Sequence, residues 1–407
     1  MDHLEAGLRR ATGPEPLPTD GEPRLVARIH EEIDRAGPMT FARFMELALY
    51  EPGLGYYRVA AKRPGRTGDF LTAPETHPIF GAALARQLDE IHRRLGRPGR
   101  FVVREYGAGG GALGLTILQA LAGGGPFGRV AGSPALVGAM RYAPIELNEH
   151  RRAELMGELT AAGFGAILEP DLVPGTPETG VVLANEFLDA LPVHRVVRRA
   201  GGLRELFVGR MGDAFVEVER ATSTPALAAR LAAEGIALRE GARAEVCLEL
   251  DGWVEEVAAG LVRGAAIVID YGHPAAELYG PDRSTGTLRA YAAHQVHDDW
   301  ARAVGRQDLT AHVDFSALES AARVVGLDPL GLTSQAEFLM GAGLEELLEA
   351  IRSEPATTVE AWLETRSGVR RLLDPRGLGG FRVAILGRGL DGEPPLRGLG
   401  YRLRRPA

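Results

Sequence analysis

Apolar residues fall into two patterns along the chain. At helical spacing, Leu25, Val26, Ile29 and Ile33 line one face, and beyond Pro38 so do Phe41, Phe44, Met45 and Leu49. These predict two N-terminal helices. Farther on, short apolar runs with β-branched members recur at 101–103, 181–185, 265–270 and 381–386, and weaker runs end at Glu146 and near Asp171. Uninterrupted runs of this length suit strands buried on both faces, the condition of a parallel sheet. Helical patterns lie between them, with Leu113, Leu115, Ile117 and Leu118 in one and Trp253, Val254 and Val257 in another. The chain therefore predicts an α/β, Rossmann-like sheet.

The remaining patterns decorate that sheet. Residues 203–218 alternate apolar and polar positions around Gly209 to Asp213, which predicts a β-hairpin insertion at about 203–220. Residues 272–312 are irregular and carry Tyr279, Arg283, Arg289, Tyr291, His294 and His297, a composition suited to a lid, and 314–373 alternate helical segments. At the start, 11–23 hold four prolines and two glycines. The expected organisation is a flexible tail over 1–23, a helical region with a covering loop over 24–98, and a core over 99–407 with its hairpin and a lid and helical insertion at about 272–373.

The stretch 100–119, R-F-V-V-R-E-Y-G-A-G-G-G-A-L-G-L-T-I-L-Q, organises the rest. A strand runs into Gly107, Gly109, Gly110 and Gly111 and then into a helix, so the backbone turns sharply where a ligand can approach closely. Residues 107–112 fit the dinucleotide form G-x-G-x-x-G/A, which alone is weak. Glu105 changes the balance. A carboxylate is repelled by a pyrophosphate and attracted by an ammonium or sulfonium, and acid-x-G-x-G-x-G is typical of S-adenosylmethionine (SAM) methyltransferases. Glu146, at the next strand end, is placed to accept hydrogen bonds from ribose hydroxyls. It lies 35 positions (146 minus 111) beyond Gly111, the excess over a compact unit being the glycine-rich insertion 121–133. Glu169 or Asp171 is expected at the adenine amino group.

Composition narrows the partners. The chain has 407 residues, 45% of them hydrophobic, a net charge of -8 and one cysteine, Cys247. That supports a sizeable core, argues against nucleic acid as a partner, and excludes an intramolecular disulfide or a thiolate zinc cluster. With no run of 18 apolar residues and no apolar leader after M-D-H-L-E, neither membrane insertion nor secretion is expected, and a cytoplasmic protein is. A homodimer is left open.

Asn185, Glu186 and Asp189 stand at and just past the end of the 181–185 strand, where open α/β sheets bind ligands, and Asp270, Tyr271 and His273 follow the 265–270 strand. If the acceptor is arginine, Glu186 and Asp189 have the chemistry to hold its planar, permanently charged guanidinium; the plainer reading is an acid pair complementing a helix dipole. A metal site at His294, His297, Asp298 and Asp299 is the weaker alternative to none, since methyl transfer requires no metal.

Several blocks carry a family resemblance. G-Y-Y at 55–57, G-D-F-L-T-A-P-E at 68–75 and I-F-G at 79–81 precede E-Y-G-A-G-G-G, and N-E-F-L-D-A-L-P-V-H at 185–194, I-D-Y-G-H at 269–273 and D-L-T-A-H-V-D-F at 308–315 follow in order. Together they resemble the MidA-like SAM-dependent methyltransferase family, which is related to a mitochondrial complex I assembly arginine methyltransferase. Tyr106 and Ala108 stand where that family commonly has Leu and Pro. The resemblance implies a class I SAM-dependent methyltransferase fold, SAM as cofactor and transfer to an arginine of a protein substrate. Two other classes stay open, an NAD-binding oxidoreductase and a non-catalytic SAM-binding assembly factor.

Overall fold

The computed structural model describes residues 20–59, 73–292 and 295–403. Six strands form the central sheet: β1 (Phe101–Tyr106), β2 (Met140–Ile145), β3 (Glu178–Asn185), β4 (Leu261–Asp270), β5 (Asp328–Ser334) and β6 (Arg382–Arg388). Their order is β5-β6-β4-β3-β1-β2, with β1 to β4 mutually parallel and β6 antiparallel to both of its neighbours. The apolar runs follow from this. Val181 and Leu183 of β3 join one core cluster and Val182 and Ala184 the other, because successive side chains point to opposite faces and both are covered.

On one face pack the helices Ile79–Arg94 and Ala112–Leu121; on the other, Glu249–Gly260 and Phe315–Val324. The expected helical N-terminal region thus divides, since Ile79–Arg94 belongs to the core. The helices Pro23–Ala36 and Phe41–Tyr50 pack instead against a second, antiparallel sheet.

That second sheet enlarges the hairpin expectation. Gly202–Met211 and Ala214–Ala221 do form a hairpin, closed by Gly212 and Asp213, but it shares a five-stranded sheet with Met39–Thr40, His194–Arg199 and Arg243–Val246. Two further expectations change. The third strand near Asp171 shrinks to one bridge between Tyr142 and Leu168. Glu169 still donates its N–H to the Tyr142 carbonyl at 2.8 Å, but its own carbonyl accepts from Leu172 at 3.2 Å in a turn led by Pro170, so the ladder stops there. Conversely, β5 is a strand inside the stretch expected to be helical. It is the sheet edge, where Pro329 and an irregular register beside Gly331 are tolerated.

The expected covering loop is described in part: residues 67–72 lie outside the described residues, as do most of the expected tail and His294, on which the metal alternative depends.

Candidate functional site

The glycine turn joins β1 to the helix Ala112–Leu121. Gly107, Gly109 and Gly111 adopt φ of 64°, 55° and 83°, the left-handed region that side chains resist. The outer two are also packed: a Cβ on Gly107 would stand 3.1 Å from Phe187 and one on Gly111 2.9 Å from Leu155. Among the described residues, the nearest atom at Gly109 would be 3.9 Å away, and at Gly110 nothing lies within 4 Å. The middle of the turn therefore opens onto space that a ligand can fill.

Glu146 borders that space. Its Oε2 accepts from the Gly109 N–H at 2.9 Å and its Oε1 from the Asn148 N–H at 2.7 Å. Glu105 is buried beneath the first turn of the helix, where Tyr142 donates to its Oε2 at 2.5 Å. Burial lifts the Glu105 carboxyl to about 7, opposed by the Tyr142 hydrogen bond. Glu169 is engaged elsewhere. Its carboxylate takes both 2.7 Å hydrogen bonds from Arg100 at the amino end of β1, so of the two expected adenine contacts only Asp171, exposed on its turn, is free of that commitment.

A cleft of about 440 Å³ opens at the carboxyl ends of β3 and β4. Glu186 and Asp189 line it together with Tyr57, Tyr271, Tyr291, Asp308 and His312, and the segment 375–381 closes one side. Phe187 ties cleft to cradle, being the residue that meets Gly107.

The corner that presents these acids is held by Asp270. Its Oδ2 accepts from the N–H groups of Phe187, Leu188 and Asp189 at 3.1, 2.9 and 3.3 Å, and its Oδ1 from that of Tyr271 at 2.9 Å. Glu186 sits at φ 50°, a conformation costing a non-glycine residue about 1–2 kcal/mol. It stays there because its N–H extends the β4 ladder to the Ile269 carbonyl at 2.8 Å before the chain turns. Strain of this kind gathers at functional corners.

Glu186 Oε1 accepts from the Ala73 N–H and from Asn185 Nδ2, each at 3.2 Å. Tyr271 donates its hydroxyl to Asp189 Oδ2, while Asp189 Oδ1 and Asn185 Oδ1 are buried with no hydrogen-bond partner among the described residues. Burial lifts the Glu186 carboxyl to about 8 and that of Asp189 to about 6, against the donors that face them. Burial pushes Asp270 up as well, with the charges of Asp189 and Glu186 adding to it. An arriving cation would reverse these shifts, because an opposite charge within a few ångströms favours the ionised form.

The raised acids give a pH signature with a definite sign. A carboxyl whose folded pKa lies above its unfolded value binds more protons in the folded state, so its stabilisation is full below the unfolded value and is lost as pH rises through the folded one. For Glu186, between its ordinary 4.5 and about 8, the melting temperature of the ligand-free protein should fall. Glu186→Gln should flatten that slope and melt higher than wild type at pH 8. Calorimetric melts from pH 5 to 8 check this, and parallel slopes for the two proteins would contradict it.

Sequence reasoning brought the glycine turn, Glu105, Glu146, Asn185, Glu186 and Asp189 to one end of the sheet. It missed Asn148, although an Asn before E-H-R-R is a helix-start signal, and it gave no role to Asp308, whose Oδ2 accepts from the Tyr57 hydroxyl at 2.7 Å across 251 positions.

A family model described as S-adenosyl-L-methionine-dependent methyltransferase matches residues 83–333. A solved structure from Burkholderia thailandensis, bound to S-adenosyl-homocysteine, is 37% identical with a TM-score of 0.83, covering 94% of this chain and 97% of that one. The protein arginine methyltransferase NDUFAF7 of Mus musculus is 29% identical over 392 residues, 91% of this chain and 85% of its own length. Its Drosophila melanogaster homolog is 30% identical over 385 residues, 88% and 83%. Both are named as mitochondrial, so they lend no support to the expectation of a cytoplasmic protein.

Proposed function

The chain belongs to the S-adenosyl-L-methionine-dependent methyltransferase family, and from that premise we propose that the acidic cleft receives an arginine side chain of a protein substrate and methylates its guanidinium. SAM is the cofactor, which sets the dinucleotide reading aside. Bound SAM supplies a methyl group that is already electrophilic on its cationic sulfur. The open middle of the turn at Gly109 and Gly110 fits a ligand there, where Glu146 would hold the ribose hydroxyls and Asp171 the adenine side, while Glu105, buried and bonded to Tyr142, would act on the cationic methionyl end through its charge from beneath.

The observation that carries the arginine reading is the acid pair at the corner after β3, Asp189 buried and Glu186 half-buried. Glu186 and Asp189 face one cleft beside the cradle, and Asp189 Oδ1 has no hydrogen-bond partner among the described residues. A guanidinium offers five N–H donors in a planar fork and cannot be deprotonated in isolation, so carboxylates answer both its shape and its charge. Asn185 Oδ1, also without a partner among the described residues, is a third acceptor at the same strand end. The nitrogen that gains a methyl must shed a proton. Glu186, ionised once the guanidinium faces it, accepts that proton, and Asp189 remains the counter-charge. NDUFAF7 relatives named as protein arginine methyltransferases support the same substrate class.

Incubation with labelled SAM and a cell extract, followed by identification of the labelled protein, tests this reading. Transfer of label to protein is expected. SAM bound tightly with no transfer would favour the non-catalytic assembly factor.

A further inference from the structure

Asn148 does two jobs, and only one of them is helix capping. It is 5% exposed and stands at the N-cap of the helix Glu149–Ala161, its Oδ1 accepting from the N–H groups of His150 and Arg151 at 3.1 and 3.2 Å. That uses the oxygen alone, and Ser or Asp would cap as well. The amide nitrogen is spent elsewhere: Nδ2 donates to the carbonyls of Tyr57 at 3.1 Å and Val59 at 2.8 Å. The amide orientation follows from its partners, N–H groups facing one end and carbonyls the other.

These bonds close a chain between the two halves of the site. Gly109 donates to Glu146, Asn148 donates its backbone N–H to the other oxygen of Glu146, the Asn148 amide holds the carbonyl of Tyr57, and the Tyr57 hydroxyl donates to Asp308 in the cleft. Arg58 adds a parallel tie to the Leu147 carbonyl at 2.5 Å. Tyr57 lines the cleft, and its backbone is otherwise fixed through its N–H to Leu49.

We propose that Asn148 is a positioning residue that couples cofactor to acceptor: with Glu146 engaged by the cofactor, its amide fixes residues 51–59 and so sets the Tyr57 wall of the acceptor cleft. Coupling of this kind is reciprocal, so the acceptor tightens cofactor binding by the factor with which the cofactor tightens acceptor binding. The proposal rests on the reading of Glu146 as a cofactor-holding acid.

Asn148→Asp keeps the capping oxygen and removes the two donors. Asn148→Ser does the same without adding charge, and serves if the aspartate variant fails to fold. On the full chain, S-adenosyl-homocysteine is the probe, with affinity read by calorimetry and loop order by hydrogen exchange. Wild type should gain protection over 51–59 on binding. Both variants should bind within a fewfold of wild type yet lose that protection, and acceptor KM should rise roughly tenfold with kcat changed less, a split that weaker capping would not produce. Protection retained in both variants would overturn the proposal, as would loss of S-adenosyl-homocysteine binding by both. Glu146→Ala tests the underlying reading separately. If it binds the probe as wild type does, Glu146 does not hold the cofactor and the coupling falls with it; if it weakens binding while Asn148→Ser keeps the protection, the Asn148 role alone is wrong.

Discussion

Glu186→Gln should keep SAM bound while methyl transfer falls about tenfold to a hundredfold. The amide preserves the shape of the side chain and its carbonyl can still accept from the Ala73 N–H, so the corner at φ 50° is undisturbed. What is lost is a charge-assisted hydrogen bond to the guanidinium, worth roughly 1.5–3 kcal/mol, and with it the proton acceptor. Steady-state rates beside calorimetric SAM affinity check this. An unchanged rate would return Glu186 to the plainer role of an acid pair near a helix start, and parallel loss of SAM binding and rate would move it to the cofactor.

Gly109→Val should do the opposite, abolishing SAM binding in a chain that still folds. A β-branched residue at φ 55° costs about 1–2 kcal/mol or more, which lowers the melting temperature without removing the cooperative transition. Its methyl groups project into the open middle of the turn, where the nearest atom to the new Cβ is 3.9 Å away. Strain and occlusion are separated by Gly110→Val, where φ is not positive and nothing among the described residues lies within 4 Å. Calorimetry with SAM and a thermal melt of each variant read the two effects, and wild-type affinity in both would place the cofactor elsewhere.

Much of this was legible in the sequence, for particular reasons. Strands β1, β3, β4 and β6 read as apolar runs because helices cover both of their faces. The glycine turn was legible because positive φ and close approach leave few residue choices, and the acids because open sheets bind at their strand ends. Strand β5 was hidden, since D-P-L-G-L-T-S mixes Pro and Gly that only an edge tolerates. The third strand was overcalled, because the apolar residues before Glu169 cannot announce that the chain turns away between Glu169 and Leu172. Met39–Thr40 was invisible as a strand: two residues have no period, and pairing with Phe207 and Val208 fixes them. The links through Asn148 and between Tyr57 and Asp308 span 89 to 251 positions, and no local pattern encodes which distant partner a polar side chain will meet.

The most direct measurement of the central claim is mass spectrometry of the acceptor after incubation of the full chain with isotopically labelled SAM. If the cleft methylates arginine as proposed, labelled methyl groups appear on guanidinium nitrogens of arginine in a protein, at a rate that falls with Glu186→Gln. Label on another residue type or on a small molecule, or at an arginine with no dependence on Glu186, would contradict it.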